Sequence, residues 1–523
     1  MNSRSQDLRY PVGIQSFAKL REGGYVYVDK TAYVHRLIRE GSYYFLSRPR
    51  RFGKSLLLST IEAYYSGRRD LFKGLALDSL TDRWEPHPIL HLDLNAGLYD
   101  SVEALDSKID YELSRWETSF DISKTTAASS QRFGHIIEQV HLSTGKKVVI
   151  LIDEYDKPML SAIDNEPLAD RFRNTLKAFY SNLKTMDQHI EFAMLTGVAR
   201  FSKTSIFSDL NNLRDISFSP NYSGICGITG DEIDRYFTDG VQSLALKAGI
   251  TVKAAREKLK NRYDGYHFSE DMLDIYNPFS LMNVFADERF GDYWFSSGTP
   301  TYVVKLLKAR NWKLRDIEHY SINAAKLGEE GILSKEAIPT LYQSGYLTIK
   351  KYNREFNEYT LGYPNAEVEQ SFINFLSPIF LGEDGSDSEF SIKHFVRDVK
   401  DGKVQSFMTR LDSLLRGVPH IGSSEPHEVY FQNAIYLTFK MIGFYSRVEE
   451  HTSDGRIDLT VETDKYVYLF EFKVDKSAAE AMNQIRAKEY WKKFEASGKQ
   501  IYLIGANFSR SKRALDDILI TTP

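Results

Sequence analysis

Cysteine is nearly absent from this chain, since Cys226 is the one thiol among 523 residues. A single thiol excludes a disulfide within the chain and a zinc site built from cysteines, so we expect a reducing compartment and a small core residue at Cys226. The segment Met1–Tyr10 lacks the apolar run of a secretory signal, and no stretch reaches the roughly 18 apolar residues that span a bilayer. These absences predict a cytoplasmic protein without a membrane partner.

The chain also lacks an excess of basic residues, because 67 Lys and Arg oppose 71 Asp and Glu and the formal net charge is −4. This balance argues against a surface coated with basic residues for nonspecific DNA binding, although it leaves room for a local basic groove. The length predicts about two to four domains of roughly 100 to 200 residues each. Hydrophobic residues at 42% and charged residues at 26% are typical of soluble globular domains.

A strand-like aromatic run, Tyr43–Ser47, leads into a Gly-Lys-Ser run at 53–55 and then into a leucine-rich helix. Backbone N–H groups at a helix N-terminus bind phosphate, a lysine reaches the terminal phosphates, and a hydroxyl binds magnesium. Gly53, Lys54 and Ser55 supply these three groups. The pattern therefore predicts a phosphate-binding loop.

One glycine of that pattern is missing. The position five residues before Gly53 holds Arg48, so we expect Pro49 to make the bend instead. The alternative interpretation of the Gly-Lys-Ser run is an ordinary turn followed by a helix N-terminus. The residues of this loop predicted to contact a nucleotide are Arg48, Pro49, Arg50, Arg51, Phe52, Gly53, Lys54 and Ser55, with Ser55 also a magnesium ligand.

A continuous apolar run at 148–152 ends in two carboxylates. The run is too unbroken for a half-exposed strand and predicts a central parallel strand covered on both faces. Because ligands bind at the carboxyl ends of such strands, we expect Asp153 to hold magnesium and nucleotide, and Glu154 to act as the catalytic residue that orients or deprotonates water. The alternative is a buried strand capped by two solvated acids.

A third strand-like run, 190–195, is followed by Thr196, whose hydroxyl is placed to contact the γ-phosphate or the attacking water. Arg200, Lys203 and Arg214 come next and are candidates for the cation that stabilises transition-state charge. We include Arg200 with Thr196 among the nucleotide-binding residues. The alternative for each cation is solvation or a weak surface ion pair.

A second set of charged residues lies near the C-terminus, where Asp458 precedes Glu471 and Lys473. Their spacing suits two adjacent antiparallel strands joined by a turn near 462–465, and strand residues two apart face the same side. Converging carboxylates hold magnesium, and a lysine can orient or activate water for phosphodiester hydrolysis. The alternative is a charged hairpin in which Glu471 and Lys473 pair without catalysis.

Two helical residues are candidates to support that site. Glu428 falls on the apolar stripe of a predicted helix and is expected to point inward. Gln484 shares a predicted helix face with Lys488 and Trp491, and either supports the site or is an ordinary exposed amide. The predicted metal ligands here are Glu428, Asp458 and Glu471, and the predicted catalytic residue is Lys473.

Composition and periodicity predict four segments. Residues 1–228 alternate strand and helix patterns as a parallel α/β core, and residues 229–297 form a helical lid. Residues 298–381 show a helix followed by two aromatic strands, which is typical of a winged-helix-like module. We favour domain packing over DNA binding for it, because it lacks a clear basic recognition helix. The small polar stretch 382–388 predicts a linker, and residues 389–523 form the last domain.

These motifs resemble the bacterial and archaeal proteins described as AAA-ATPase-like with a C-terminal nuclease-like domain. The blocks that carry the resemblance are 11–14, 27–31, 48–55, 151–156, 196–203, 211–217 and 263–268. An Arg-Pro-Arg-Arg-Phe-Gly-Lys-Ser/Thr loop is usual in that family, so Arg48 looks like a family feature. The order Asp458, then Glu471-x-Lys473, is similar to the core of the PD-(D/E)XK nuclease superfamily, part of which has a helix glutamine resembling Gln484.

The resemblance implies an α/β protein with a P-loop NTPase (AAA-like) parallel-sheet domain, a helical and winged-helix-like middle region, and a C-terminal restriction-endonuclease-like α/β domain. We expect ATP and Mg²⁺ as cofactors, with ATP hydrolysis controlling cleavage of nucleic acid, DNA favoured over RNA. One alternative is a regulatory switch ATPase whose C-terminal domain binds nucleic acid or protein without cleavage. Another is a nucleotide-binding structural protein without turnover, suggested by Arg48. Oligomerisation stays open.

Overall fold

The computed structural model describes residues 9–200, 210–294, 314–329, 336–381, 387–416, 433, 436–441, 443, 447–450, 459–509, 511–512 and 514–523. The chain divides into two units, one of Met1–Leu306 with His319–Val368 and the other of Leu307–Glu318 with Glu369–Pro523. Three sequence predictions, Lys203, Glu428 and Asp458, lie outside the described residues, as does most of the predicted linker.

A five-stranded sheet forms the centre of the first unit, in the order β2-β3-β4-β1-β5. Its strands are β1 (Tyr43–Ser47), β2 (Ile89–Asp93), β3 (Val148–Asp153), β4 (Ile190–Gly197) and β5 (Arg214–Asp215). All four pairings are parallel. Every residue of β1 and β3 is buried, as expected for strands covered on both faces. The prediction of a central parallel strand ending at Asp153 is confirmed.

Helices cover this sheet and bury apolar side chains against it. On one of them, Phe172, Leu176 and Phe179 recur at helical spacing and join the core that contains Ile150 and Leu195. Burial of side chains of this size stabilises the fold by roughly 1.5–3 kcal/mol each. The helices of this part are α1 (Phe17–Glu22), α2 (Thr31–Glu40), α3 (Lys54–Tyr65), α4 (Ala76–Leu80), α5 (Val102–Ser119), α6 (Ser129–Thr144), α7 (Lys157–Ser161), α8 (Glu166–Tyr180) and α9 (Asn182–Thr185).

Four further helices follow the sheet within residues 210–294, and their role as a lid stays a prediction. They are α10 (Gly230–Tyr236), α11 (Thr238–Ala248), α12 (Val252–Tyr263) and α13 (Pro278–Asp287). A capping box starts α10, where Thr229 accepts from the Glu232 N–H and the Glu232 carboxylate accepts from the Thr229 N–H. Helix α13 starts with Pro278 directly after Asn277, whose side chain accepts from Ser280 N–H. Both starts satisfy backbone donors that a helix leaves unpaired.

The region 321–362 has the strand and helix order of a winged helix. Its elements are β6 (Ser321–Asn323), α14 (Ala324–Glu329), α15 (Ala337–Gln343), β7 (Thr348–Asn353) and β8 (Glu358–Gly362). The three strands form an antiparallel sheet in the order β6-β8-β7. Every residue of α15 is buried. Because α15 occupies the position of a recognition helix, its burial agrees with the predicted packing role.

A second five-stranded sheet forms the other unit, in the order β13-β12-β11-β10-β9. Its strands are β9 (Arg447–Glu450), β10 (Leu459–Glu462), β11 (Tyr466–Val474), β12 (Gln500–Ser509) and β13 (Ala514–Thr521). Helices whose bounds lie within the described residues of this part include α16 (Ala366–Leu381), α17 (Asp387–Lys400), α18 (Val404–Arg416) and α19 (Ala478–Lys488). Strands β10 and β11 are antiparallel with a short turn between them, which confirms the prediction for these residues. Helix α19 connects the parallel strands β11 and β12.

Membrane insertion has no candidate element in the described ranges. None of the helices found there combines the length and the apolar character that a bilayer span requires.

Candidate functional site

The turn between β1 and α3 is shaped by left-handed backbone at Gly53, where φ is +94°, and at Arg51, where φ is +67°. Glycine reaches this conformation without a side-chain clash. Lys54 is the first residue of α3, and Ser55 is the second. The first backbone N–H groups of a helix point toward ligands on its axis, so this turn has the local geometry of a phosphate-binding loop.

The Lys54 amine is buried at this turn, with 3% of the residue exposed. Its Nζ lies 3.2 Å from Arg48 O and 3.4 Å from Pro49 O, and it lies 3.2 Å from Glu154 Oε1. The lysine is therefore surrounded by oxygen acceptors from the loop and from the end of β3. A phosphate group offers the same kind of acceptor at higher charge and can replace them.

The carboxyl ends of β3 and β4 bring three predicted residues together. Thr196 Oγ1 donates to Asp153 Oδ1 at 2.5 Å, and the Glu154 N–H donates to the same oxygen at 3.0 Å. Asp153 and Thr196 are both buried, whereas Glu154 is partly exposed. Glu154 has a left-handed backbone with φ of +50°. Together with Lys54, these residues form one cluster at the carboxyl ends of the parallel strands, which is where ligands bind in such sheets.

A cavity of ≈ 520 Å³ opens beside this cluster. Its wall includes the loop residues from Arg50 to Ser55, together with Glu154 and a stretch of the N-terminal segment. The charged residues of its wall are the cations Lys30, Arg50, Arg51, Lys54 and Lys157 and the carboxylate Glu154. An excess of positive charge around a helix N-terminus suits a polyanionic ligand, so the cavity fits a nucleotide phosphate chain in size and charge.

The Arg48 side chain points into the protein, where it is 1% exposed. Its guanidinium donates to the carbonyls of Ser47 at 2.9 Å, Ser217 at 2.8 Å and Tyr222 at 3.2 Å, and its Cζ lies 4.2 Å from the Phe268 ring centroid. Arg48 and Pro49 are not part of the cavity wall described above. Arg48 therefore meets Lys54 through its carbonyl, while its side chain anchors the loop.

The predicted cations after β4 lie elsewhere. Arg200 Nε and Nη2 both contact Asp215 Oδ2, at 2.8 and 2.5 Å, and the Arg200 guanidinium stacks 4.6 Å from the Phe218 ring centroid. Arg214 Nη1 lies 3.2 Å from Glu40 Oε2. Neither arginine contributes to the cavity wall. The structure thus does not bring Arg200 together with Lys54, Asp153 and the other cluster residues.

Asp156 is a buried acid to which sequence reasoning assigned no role. Its Oδ2 accepts from the N–H groups of Val198 at 3.0 Å and Ala199 at 2.5 Å, so it ties the turn after β3 to the end of β4. Burial, followed by the nearby charge of Glu154, raises the pKa of Asp156 to about 7. A third carboxylate in the run, three residues after Asp153, was the signal that could have identified it.

Lys30 and Lys157 are two further cavity residues that the sequence analysis did not single out. Lys30 Nζ lies 2.7 Å from both carboxylate oxygens of Glu232. Burial lowers the pKa of Lys30, and the charge of Glu232 opposes that effect. Lys157 stands three residues after Glu154, directly after the block 151–156 that carries the carboxylates. Spacing alone does not tell which of these side chains face a cavity.

In the second unit, Glu471 and Lys473 lie on one side of β11, as predicted. Lys473 Nζ lies 3.0 Å from Glu471 Oε1 and 2.7 Å from Gln484 Oε1 on α19. Glu471 is 1% exposed, so the pair is not an ordinary solvated hairpin contact. The structure thus brings Glu471, Lys473 and Gln484 together.

The remaining predicted metal ligands of this site, Glu428 and Asp458, are outside the described residues. Within the portion that is described, no group of three His, Cys, Asp or Glu side chains is arranged to hold a metal ion. Glu471 offers carboxylate oxygen, the ligand type that Mg²⁺ prefers. Its burial beside an amine fits the carboxylate–lysine half of a metal-assisted hydrolytic site.

The fold and the two clusters define a class of protein: a P-loop NTPase unit joined to a restriction-endonuclease-like unit. Residues 11–207 match the family model described as a predicted AAA-ATPase. Residues 426–517 match the PD-(D/E)XK nuclease superfamily. An uncharacterized protein in the vnfD 5′ region of Azotobacter chroococcum mcd 1 is 38% identical over 525 residues, covering 97% of this chain and 98% of that protein. The chain belongs to this family of AAA-ATPase-like proteins with a C-terminal PD-(D/E)XK domain, so the resemblance seen in the sequence is confirmed.

Proposed function

We propose that this protein hydrolyses ATP in the first unit and that turnover controls a magnesium-dependent nuclease site in the second. The single observation that carries the ATPase proposal is the cluster of Lys54, Asp153, Glu154 and Thr196 beside a cation-lined cavity. Lys54 would bind the terminal phosphates, and Glu154 would orient the attacking water. Thr196 would hold the Asp153 carboxylate in position.

Ser55 and Asp153 are the residues that would hold Mg²⁺ at this site. The ion, when bound, neutralises charge on the phosphates and orients them for in-line attack. Lys54 Nζ has three donors and contacts three oxygens, from Arg48, Pro49 and Glu154, so a bound phosphate is expected to replace at least one of these contacts. The chain's own residues supply the rest: positive charge, fixed backbone N–H groups and a carboxylate for the water.

The nuclease proposal is supported by the buried Glu471 in contact with Lys473. Glu471 would hold Mg²⁺ together with Glu428 and Asp458, and Lys473 would orient or activate water. Gln484 would position Lys473 through the hydrogen bond between them. Nucleic acid as substrate, with DNA favoured over RNA, rests on the superfamily of this domain. The cytoplasmic location and the state of oligomerisation stay predictions.

The test incubates the full chain with plasmid, single-stranded DNA and RNA in Mg²⁺, with and without ATP, and measures phosphate release in parallel. We expect Lys54→Ala and Glu154→Gln to abolish phosphate release, and Lys473→Ala to abolish cleavage while ATP turnover persists. Lys476→Ala is the matched control, since Lys476 is an exposed neighbour with a side chain 57% accessible. Cleavage that persists in both Lys473→Ala and Asp458→Ala would refute the nuclease assignment.

A regulatory switch is the second candidate, and the packing of the loop favours it. Trp294 Nε1 donates to Arg50 O at 3.4 Å, and Gly345 of the winged-helix-like region packs against Pro49. A change in the loop conformation on nucleotide binding would therefore alter the contacts that Arg50 and Pro49 make with Trp294 and Gly345 of the same unit. Slow phosphate release and no cleavage of any nucleic acid, combined with tight ATP binding, would favour the switch.

Binding without turnover was suggested by the missing glycine at Arg48. Arg48 N–H donates to Gly197 O at 3.1 Å, so the hydrogen bonding between β1 and β4 extends to Arg48. It is not among the described residues with positive φ, so an L residue fits there without strain. The loop therefore does not need a glycine at this position. The missing glycine therefore gives no support to binding without turnover.

A further inference from the structure

A cation additional to the loop lysine and Mg²⁺ accelerates ATP hydrolysis, because negative charge develops on the transferring phosphoryl group and its leaving oxygen. Arg200 is held by Asp215 and stacked on Phe218, and Arg214 is held near Glu40. Neither faces the cavity. The two arginines predicted for this role therefore do not supply the additional cation in this structure.

Lys157 lines the cavity together with Lys54, Ser55 and Glu154. It is the first residue of α7, and its N–H donates to Glu154 O at 2.9 Å. The lysine therefore sits one short turn after the carboxylate that would orient water. Its side chain is half-buried, which keeps it near the cavity and reduces screening by solvent.

The turn that carries Lys157 is fixed to the end of β4. Tyr155 N–H donates to Thr196 O at 3.1 Å, and the Tyr155 hydroxyl donates to Ala199 O at 2.9 Å. The buried Asp156 carboxylate adds two more hydrogen bonds to that strand end. A cation carried on such a turn is preorganised, so little reorganisation is needed when charge develops.

Lys157 also differs from the cavity lysines Lys30 and Lys54 in its ion pairing. Lys54 lies 3.2 Å from Glu154, and Lys30 lies 2.7 Å from Glu232. Among the described ion pairs, none involves Lys157. Lys157 is thus a half-buried cation in the wall of a cavity that suits an anion, and the described ion pairs give it no carboxylate partner. Such a cation is suited to contact a phosphate that enters the cavity.

We propose that Lys157 is a catalytic residue of this site that donates hydrogen bonds to the γ-phosphoryl oxygens and stabilises their charge during hydrolysis. The assignment rests on the proposed ATPase function. In the reaction, the water oxygen forms a bond to the γ-phosphorus while the bond from that phosphorus to the β–γ bridging oxygen breaks, giving ADP and phosphate. The water proton leaves toward Glu154 and solvent, and Lys157 keeps its protons throughout.

The experiment compares the wild type with Lys157→Ala, Lys157→Arg and the exposed control Lys184→Ala in the full chain. Affinities for ATP and ADP are measured by calorimetry, and phosphate release gives kcat and KM. We expect Lys157→Ala to lower kcat by about 100-fold and to weaken ATP binding more than ADP binding, because the lost contact is to the γ-phosphate. Lys157→Arg should recover part of kcat, and Lys184→Ala should match the wild type.

Two results would overturn the assignment in a wild type that hydrolyses ATP. They are a Lys157→Ala kcat within threefold of the wild type and an equal loss of ATP and ADP affinity. A wild type that binds ATP but releases no phosphate, or that binds neither nucleotide, refutes the proposed function itself, and the role of Lys157 falls with it. Matching thermal unfolding curves for Lys157→Ala and Lys157→Arg separate a catalytic loss from a folding defect.

Discussion

Thr196 Oγ1 lies 2.5 Å from Asp153 Oδ1, although the two residues are 43 positions apart in the chain. The contact exists because β3 and β4 are adjacent parallel strands in which Ile152 pairs with Leu195. Both side chains are buried at the carboxyl edge of the sheet. A hydroxyl that donates to one oxygen of a buried carboxylate fixes the orientation of that carboxylate.

Replacing Thr196 by Val should slow ATP hydrolysis without abolishing nucleotide binding. The change keeps the shape of the side chain but removes a donor from a buried carboxylate, a loss of about 1–3 kcal/mol. We therefore expect kcat to fall by about tenfold to 100-fold, with ATP affinity within about threefold of the wild type. Thr340→Val is the control, because its hydroxyl bonds the Glu336 carbonyl one turn earlier. Equal kcat values for the two variants would contradict a role of Thr196 in orienting Asp153.

Replacing Asp156 by Asn should flatten the pH dependence of folding stability. The folded state holds its proton up to about pH 7, whereas an unfolded Asp releases it near pH 4. Between these values the folded state binds more protons, so this group lowers the free energy of unfolding as pH rises, by at most about 1.4 kcal/mol per pH unit. Above pH 7 its contribution is constant.

Urea unfolding of the wild type and Asp156→Asn at pH 5, 6, 7 and 8 measures this difference. The Asn side chain can still accept from the Val198 and Ala199 N–H groups, so the variant is expected to fold. Relative to the wild type, the variant should gain stability from pH 5 to pH 7 and no more at pH 8. Parallel profiles for the two proteins would mean that Asp156 does not titrate in this range.

Replacing Gly345 by Ala should disturb the phosphate-binding loop. Gly345 has φ of +87°, and an added Cβ would lie 2.8 Å from Pro49 Cβ. Gly249→Ala is the matched control, with φ of +66° and open space around an added Cβ. Both variants pay the left-handed backbone penalty of about 1–2 kcal/mol, but Gly345→Ala should lose a further 1–3 kcal/mol or so from overpacking.

Thermal unfolding and ATP affinity distinguish these two effects. We expect Gly345→Ala to unfold at a lower temperature than Gly249→Ala and to bind ATP more weakly, since Pro49 O is an acceptor for Lys54. Identical unfolding temperatures and ATP affinities for the two variants would show that the contact between Gly345 and Pro49 does not constrain the loop.

Replacing Gln484 by Ala should slow nucleic acid cleavage while leaving its magnesium dependence unchanged. Gln484 contacts Lys473 at 2.7 Å, so it would position the amine without holding the metal. The loss of one such hydrogen bond is worth about 1 kcal/mol, or roughly fivefold in rate. Gln500→Ala, at an exposed glutamine, is the control. A shifted Mg²⁺ half-saturation point would place Gln484 at the metal instead.

The phosphate loop and the Glu-x-Lys pair were identifiable without coordinates, because each depends on neighbours in the chain. Gly53, Lys54 and Ser55 are consecutive residues at one helix start, and residues two apart on a strand share a side whatever the rest of the fold does. The apolar run before Asp153 likewise predicted a strand that is covered on both faces of the sheet. These features follow from backbone geometry over a few residues.

Which cations meet at the cavity was settled by long-range packing. The sequence analysis selected Arg200 and did not single out Lys157, yet Arg200 contacts Asp215 while Lys157 lines the cavity. The sequence predicts that Arg48 contacts the nucleotide from the loop. In the structure its side chain is buried and donates to the carbonyls of Ser217 and Tyr222. Side-chain direction and burial depend on residues far apart in the chain, so periodicity carries no information about them, and the fold alone selects the partners.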